Sequence, residues 1–390
     1  MTHKAVLLES TGAYPILISI RNIWLAFQPI LDYNRIHMAT KRLSRRDFLK
    51  LSALGLGSLA FNPFPPPYDD YQAGLMLVGR VTVDQQAAIY KEPRFHSGIT
   101  RWTRQDELLN IYYQLTPVEG PPYNPIWYRV FGGYIHSGYL QVAKFRYNSP
   151  LSSIPESGQL AEVTVPYSQA YSYSKTYGWE PDYRLYYETT HWITDIVKGP
   201  DGKPWYQLTS ELTDFLVYYV SALHLRPIPN EEMTPLSPDL PFDAKRIEVS
   251  LQRQYLTAFE YDQPVLGMRI STGLGELEVP TGRKTPKGRF NITSKSPSKH
   301  MGGVQASGAP DEYILPGVPW TSFFIFESGV AFHGTFWHSN FGLPMSHGCI
   351  NLSNKDAKWL FRWVTPAYDL PIQDRSNWDV RGHGTRIDIF

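Results

Sequence analysis

Cys349 is the only cysteine in a chain of 390 residues, so no internal disulfide can close any part of the fold. Its domains must be held by buried apolar surface. The supply is ample, since 42% of the residues are hydrophobic and 14% aromatic, enough for two or three domains with sizeable cores. The 32 prolines and 26 tyrosines suit β-rich, turn-rich domains better than helical ones. The formal net charge of +1 conceals an asymmetry: residues 1–60 hold eight Lys and Arg against three Asp and Glu. Residues 61–390 then carry 29 basic and 33 acidic side chains, a net of −4, which leaves no electrostatic footprint for nucleic acid.

The lone cysteine lies in Ala331–Asn354, AFHGTFWHSNFGLPMSHGCINLSN, among three histidines and several glycines. A thiol attacks carbonyls as the thiolate, and with an ordinary pKa of about 8.5 it needs a basic or positive neighbour to do so at neutral pH. His333 and His347 are the candidates. His347 stands two residues from the sulfur and shapes the local field; His333 follows two apolar runs, Phe323–Phe326 and Val330–Phe332, which read as strands meeting near Glu327–Gly329. A base at the end of a strand can be held rigidly against a nucleophile on the next loop. Gly348 admits a backbone conformation that a Cβ would resist, and the amides of Gly348 and Cys349 are candidate oxyanion donors. Ser353 reads as a helix N-cap with Asp356 at the third position, followed by Ala357, Leu360, Phe361 and Val364 at helical spacing. The nucleophile is therefore expected on a strand-to-helix connection.

Ser346-His347-Gly348-Cys349-Ile350-Asn351, with His333-Gly334 leaving 11 residues before Ser346, resembles the signature of the L,D-transpeptidase (YkuD-type) catalytic domain. Thr285-Pro286-Lys287-Gly288-Arg289-Phe290 is similar to that family's TP-x-G-x-F element, and Gly384–Ile387 to its closing strand. The resemblance covers Ala244 to Phe390 and implies an enzyme acting on peptidoglycan stem peptides, with Cys349 as nucleophile and His333 as its acid and base. It also implies that the Gly334 carbonyl orients His333, that Ser346, His347 and Gly348 support the site, and that no metal or organic cofactor takes part. Tyr313, Trp320, Phe324 and Trp337 are aromatic candidates for the acyl-donor groove, against plain packing. A small buried hydrophobe is the commonest role of a lone cysteine, but the glycines and histidines around this one favour the nucleophile. Zinc on His333, His338, His347 and Cys349 lacks any Cys-x-x-Cys or His-Glu-x-x-His spacing. His300 and His338 read as surface or packing residues. A secreted peptidase of the NlpC type places its cysteine before its histidine, the reverse of the order here; a non-catalytic wall-binding protein is the remaining competitor.

Met38–Lys50, MATKRLSRRDFLK, has the form of a twin-arginine export signal, with a short apolar stretch Leu51–Phe61 behind it and small residues at Ser58-Leu59-Ala60 for cleavage. That stretch falls short of the ~20 residues a spanning helix needs. The expectation is a signal peptide at 38–60, an upstream extension at 1–37 outside the fold, and an extracytoplasmic mature protein with no membrane anchor. A free thiol outside the cytosol then needs a reason, which catalysis supplies.

A proline-rich linker at 61–73 precedes two segments that repeat one another. Val81-Thr82-Val83 answers to Val163-Thr164-Val165, Trp127-Tyr128 to Trp205-Tyr206, and Tyr134 with Ser137 to Tyr218 with Ser221. The order of strands resembles bacterial Src-homology-three-like (SH3-like) barrels, at 74–150 and 158–227, with both tryptophans in the barrel cores. After a proline-rich junction at 228–243, Ile247, Val249 and Leu251 alternate with polar residues as a half-buried strand does, and a hairpin follows through Asp262-Gln263-Pro264. The expected fold is mainly β: two small barrels, then a β-rich catalytic domain at 244–390 with one short helix after the nucleophile.

Overall fold

The computed structural model of the chain describes residues 77–212, 216–275, 284–303 and 313–390. The expected upstream extension, signal peptide and first linker, at 1–37, 38–60 and 61–73, lie outside the described residues.

The first segment contains β1 (Val78–Val81), β2 (Gln86–Tyr90), β3 (Ile99–Arg104), β4 (Leu108–Asn110), β5 (Tyr113–Leu115), β6 (Trp127–Val130), β7 (Gly133–His136) and β8 (Leu140–Ala143). The second contains β9 (Gln159–Val163), β10 (Tyr167–Ser174), β11 (Gly178–Tyr186), β12 (Thr190–Lys198), β13 (Pro204–Thr209), β14 (Val217–Ser221) and β15 (Leu225–Pro227). All their pairings are antiparallel and coincide strand for strand. β1 pairs with β4 and β8 as β9 does with β12 and β15; β2 pairs with β3 and β7 as β10 does with β11 and β14. β6 lies between β5 and β7 as β13 lies between β12 and β14. In the second segment one nine-residue strand, β12, fills both roles that β4 and β5 divide. The break at Ile111 and Tyr112 splits the first segment into sheets of three and five strands, whereas the second forms one sheet of seven.

The register corrects one sequence equivalence. Trp127 pairs with His136 and Trp205 with Ser221, and each partner directly precedes a 3-10 turn, Ser137–Tyr139 or Ala222–His224. Tyr134 therefore corresponds to Tyr219 and not to Tyr218. Side chains alternate faces along a strand, so a slip of one residue exchanges core for surface; Tyr218 is the core residue of the pair in β14, and Trp127 and Trp205 are buried as well.

The third segment stacks two five-stranded sheets. β16 (Lys245–Ser250), β17 (Tyr255–Glu260), β18 (Gln263–Arg269) and β19 (Gly288–Asn291) join the last strand, β25 (Arg386–Ile389), in the order β18-β17-β16-β25-β19. β20 (Ser294–Gly302), β21 (Ile314–Ile325), β22 (Val330–Gly334), β23 (Ile350–Leu352) and β24 (Val380–Arg381) form the other, in the order β23-β22-β21-β20-β24. Along β16 the residues Lys245, Ile247 and Val249 face inward, as the alternation predicts. Helix α1 (Asn354–Trp363) packs on β21 and β22. The Ser353 hydroxyl caps it by accepting from the Asp356 amide at 3.1 Å, an arrangement worth about 1 kcal/mol. At its other end Lys245 donates to the Trp363 carbonyl at 2.9 Å and Lys295 to Val364 at 3.0 Å, cations against the negative end of the helix dipole.

The segment expected as a linker at 228–243 is packed rather than free. Ile228 and Met233 sit in the same hydrophobic cluster as Ile247, Phe332 and Phe361, and Leu160 and Trp192 of the second segment join it. Trp192 stacks on Trp378 with ring centroids 4.6 Å apart and planes at 1°. The physical reason is the apolar content between the prolines: Ile228, Met233 and Leu236 have surface to bury, and the catalytic sheets offer the nearest place for it.

Candidate active site

The β21–β22 hairpin carries His333 at its end, and β23 runs parallel to β22 with Phe332 opposite Ile350 and His333 opposite Asn351. Cys349 immediately precedes β23, so a three-residue strand stands between the cysteine and the helix. That strand fixes the distance of Cys349 from the histidine strand. Because register partners in a parallel ladder share a face and alternate residues share it too, His333, Cys349 and Asn351 lie on one side of the sheet.

His333 is 2% exposed. Its Nδ1 lies 3.0 Å from the Gly334 carbonyl, which can only accept, so Nδ1 carries the proton and Nε2 the lone pair. Burial lowers its pKa to about 4, with the Gly334 bond opposing, and the ring is a neutral base at pH 7. Burial pushes the half-buried Cys349 thiol up to about 11, with a hydrogen bond to the Ala331 main chain opposing. The resting pair is therefore a neutral thiol and a neutral imidazole, and attack requires the thiol proton to move as the new bond forms. Gly334 admits no other residue: a Cβ there would lie 2.5 Å from Asn354 Oδ1 and 2.8 Å from Pro319 Cγ.

The loop before Cys349 is tied in a tight turn. Ser346 Oγ donates to the Cys349 carbonyl at 2.5 Å and accepts from the Gly348 amide at 3.1 Å; Gly348 has φ of +135°, a region L side chains avoid. Thr285 Oγ1 donates to the Gly348 carbonyl at 2.7 Å and accepts from the Gly273 amide at 2.8 Å, which gives the Thr285-Pro286 element a physical task. One expectation is corrected here. With its N–H bonded to Ser346, the Gly348 amide is not free to receive an oxyanion, and the Cys349 amide is the remaining candidate of the two.

The aromatic candidates divide. Tyr313 is half-exposed, its ring 5.8 Å from that of the exposed His347; burial and then the neighbouring Cys349 push its phenol pKa upward. Trp337 is half-buried with its ring 5.6 Å from His333, at 37°. Trp320 and Phe324 are not groove residues. Trp320, 3% exposed, packs edge-on against Phe361 beneath Lys358, and Phe324, 4% exposed, lies between Phe290 and Phe332. β21 is covered on both faces, so its aromatic run carries no alternation to separate a groove from a core.

Two residues the sequence reading left out of the site belong to it. His338 is buried, and its Nδ1 accepts from the Asn340 amide at 3.2 Å, so its proton sits on Nε2. That nitrogen is 3.0 Å from the Asn351 amide group. The Asn351 amide nitrogen is the atom placed there, with Asn351 Oδ1 buried and unpartnered; a proton on Nε2 calls for the amide turned over, its oxygen towards His338. Burial lowers the His338 pKa to about 3, the charge of His333 adding to it. No local pattern announces this pair, which meets only through the loop. His300, also buried, faces the Gly303 carbonyl at 2.9 Å and Tyr183, a packing role.

Residues 244–389 match the model of a family described as the L,D-transpeptidase catalytic domain (YkuD). No curated relative matches the chain. Among solved structures, the chain is similar to an L,D-transpeptidase from Xylanimonas cellulosilytica, at 25% identity over 42% of this chain and 64% of that one, with a TM-score of 0.26. A C-to-S mutant of the Enterococcus faecium L,D-transpeptidase matches at 23% identity over 38% and 50% of the two chains, with a TM-score of 0.28. An L,D-transpeptidase from Mycobacterium smegmatis matches at 17% over 64% and 90%, with a TM-score of 0.30. The chain thus spans about half to two thirds of the first two solved chains it matches.

Proposed function

We propose that the L,D-transpeptidase catalytic domain matched at 244–389 makes this protein a peptidoglycan L,D-transpeptidase, exported through the signal read at 38–60. The observation that carries the reading is the Gly334 carbonyl on His333 Nδ1, which sets Nε2 as the proton acceptor on a strand locked in register with that of Cys349. The Cys349 sulfur attacks the carbonyl of the third residue of a stem tetrapeptide while its proton passes to His333 Nε2. The amide C–N bond then breaks, and the terminal D-alanine leaves with the proton from His333. An incoming amine attacks the thioester, gives a proton to His333, and expels the Cys349 sulfur, which takes that proton back. A second stem as acceptor yields a 3→3 cross-link; water yields a shortened stem. The Cys349 amide is the donor we assign to the developing oxyanion. The two N-terminal segments are read as SH3-like modules that seat the catalytic domain on the wall.

Incubating the purified protein with a disaccharide-tetrapeptide, and following products and enzyme mass together, tests this. A cross-linked dimer with loss of one D-alanine, absent in Cys349→Ala, is the expected result. A tripeptide alone identifies an L,D-carboxypeptidase on the same machinery. Equal turnover in mutant and wild type removes Cys349 from the reaction, and unchanged substrate with unmodified enzyme favours a wall-binding role.

A further inference from the structure

We infer that Arg80, in the first repeat, is a positioning residue for His333, so that the first repeat belongs to the catalytic apparatus and is not only a tether; this rests on the roles given above to His333 and Cys349. Arg80 is 2% exposed, although it carries a full charge and five N–H donors. A buried guanidinium is costly unless its donors are matched. Nη1 donates to Asp106 Oδ1 at 2.8 Å, Nε and Nη2 donate to Gln141 Oε1 at 3.1 and 2.9 Å, and Nη2 donates to the Phe336 carbonyl at 2.6 Å. Three of these bonds stay within the first repeat. The fourth and shortest crosses to the backbone three residues beyond His333.

Phe336 is held a second time by its ring. The Arg80 guanidinium lies 3.9 Å above the Tyr186 ring, and Phe336 stacks on that same ring at 5.2 Å and 28°. Trp337 stands edge-on to Phe336 at 4.9 Å and lies against His333 at 5.6 Å. A chain of direct contacts therefore runs from Arg80 through Phe336 and Trp337 to the base. The imidazole's own anchor, the Gly334 carbonyl, is two residues before the one Arg80 grips. Freeing residue 336 loosens both supports of the ring together. Farther along the loop the first repeat adds Asn124 Nδ2 on the Ser339 carbonyl at 3.1 Å and receives Ser339 Oγ on the Leu140 carbonyl at 2.9 Å. A generic staple would serve with apolar residues. Arg80 instead fixes a main-chain carbonyl, which sets backbone position in the segment that carries Trp337.

The test compares wild type, Arg80→Met, Arg80→Lys and His333→Ala in the full chain. The rate of Cys349 alkylation by iodoacetamide, read by intact mass, is followed from pH 6 upward, alongside turnover of the disaccharide-tetrapeptide. Near neutral pH R80M is expected to alkylate about tenfold more slowly than wild type, approaching H333A, with R80K between them. The difference closes as the pH rises towards 11, where the thiol ionises without a base. Turnover is expected to lose kcat with KM unchanged. A profile and a kcat matching wild type, with only a lower melting temperature, reduces Arg80 to a staple and overturns the inference. So does a slowing that is equal at every pH. Should R80M not fold, R80K and Tyr186→Leu carry the same comparison, because each weakens the hold on Phe336 and keeps a cation at position 80 opposite Asp106. If wild type turns over no stem peptide, the proposed reaction fails, while the alkylation profiles still decide the role of Arg80.

Discussion

The two N-terminal repeats carry three equivalent positions near the third segment and fill them with opposite chemistry. Arg80 faces Gln141 across β1 and β8, as Glu162 faces Arg226 across β9 and β15. Asp106 and Glu188 occupy equivalent turns, with φ of 61° and 60°. In the first repeat the cation on the opening strand reaches a main-chain carbonyl after His333. In the second an acid takes that place; Arg226 binds it at 2.7 Å and also binds Glu232 at 2.6 Å, and Glu232 accepts from Lys358 of α1 at 2.5 Å. Glu188 accepts from Asn354, at the start of the same helix, at 3.2 Å. One repeat thus grips the loop after His333, the other the helix after Cys349. The residue type at each position follows what is gripped: a carbonyl needs a donor, and a helix face presenting lysine and asparagine needs acceptors. Burial differs as well. Arg80 and Asp106 are both nearly sealed from solvent, whereas Arg226 and Glu232 remain partly exposed.

That contrast predicts an order of effects. Asp106→Leu strips the counter-charge from buried Arg80 and from Arg184, and is expected to cost roughly 3–5 kcal/mol in chemical denaturation. Next come the histidines beside the two 3-10 turns. Burial lowers His136 and His224 to about 4 from an ordinary 6.5, so the unfolded chain holds more protons between those values and stability falls as the pH falls through that window. His136→Asn and His224→Asn should each flatten this slope, by on the order of 2 kcal/mol across the window. The urea midpoint against pH measures it. Glu188→Gln keeps an acceptor for Asn354 and should cost about 1 kcal/mol or less. Glu232→Ala removes a partly exposed pair of bridges and should cost under about 1 kcal/mol at neutral pH. Arg226, then Lys358, hold the Glu232 pKa down to about 2 against an ordinary 4.5. Its contribution is therefore complete above pH 4.5 and lost as the pH falls towards 2, a loss the alanine variant should lack. If Glu232→Ala proves costlier than Asp106→Leu, the repeats do not differ as their burial says.

What the sequence disclosed was local. The Ser353 cap, the inward alternation of β16, the hairpin before His333 and the spacing of His333 to Cys349 are each set by residues close together in the chain, and all are found in the structure. Trp320 and Phe324 were ambiguous because a strand covered on both faces has no polar beat. The pairing of Asn351 with His338 was not read from the sequence, because it depends on how the intervening loop returns. Arg80 lies 256 residues from Phe336, and no window short enough to read could join them. The exchange of Tyr218 for Tyr219 arose from matching letters across a repeat whose β6–β7 and β13–β14 loops differ by seven residues, Trp127 to His136 being nine positions and Trp205 to Ser221 sixteen.

The position of β25 also bears on how the site is assembled. This strand lies inside its sheet, parallel to β16 on one side and antiparallel to β19 on the other, so residues 386–389 complete pairings begun 140 residues earlier. Without residues 386–389 the facing edges of β16 and β19 have no partner, and the chain just before β19, through Thr285, is what clamps the turn before Cys349. A chain short of β25 would hold both the cysteine and the histidine but lack the strand that ties β19, and with it Thr285, to β16.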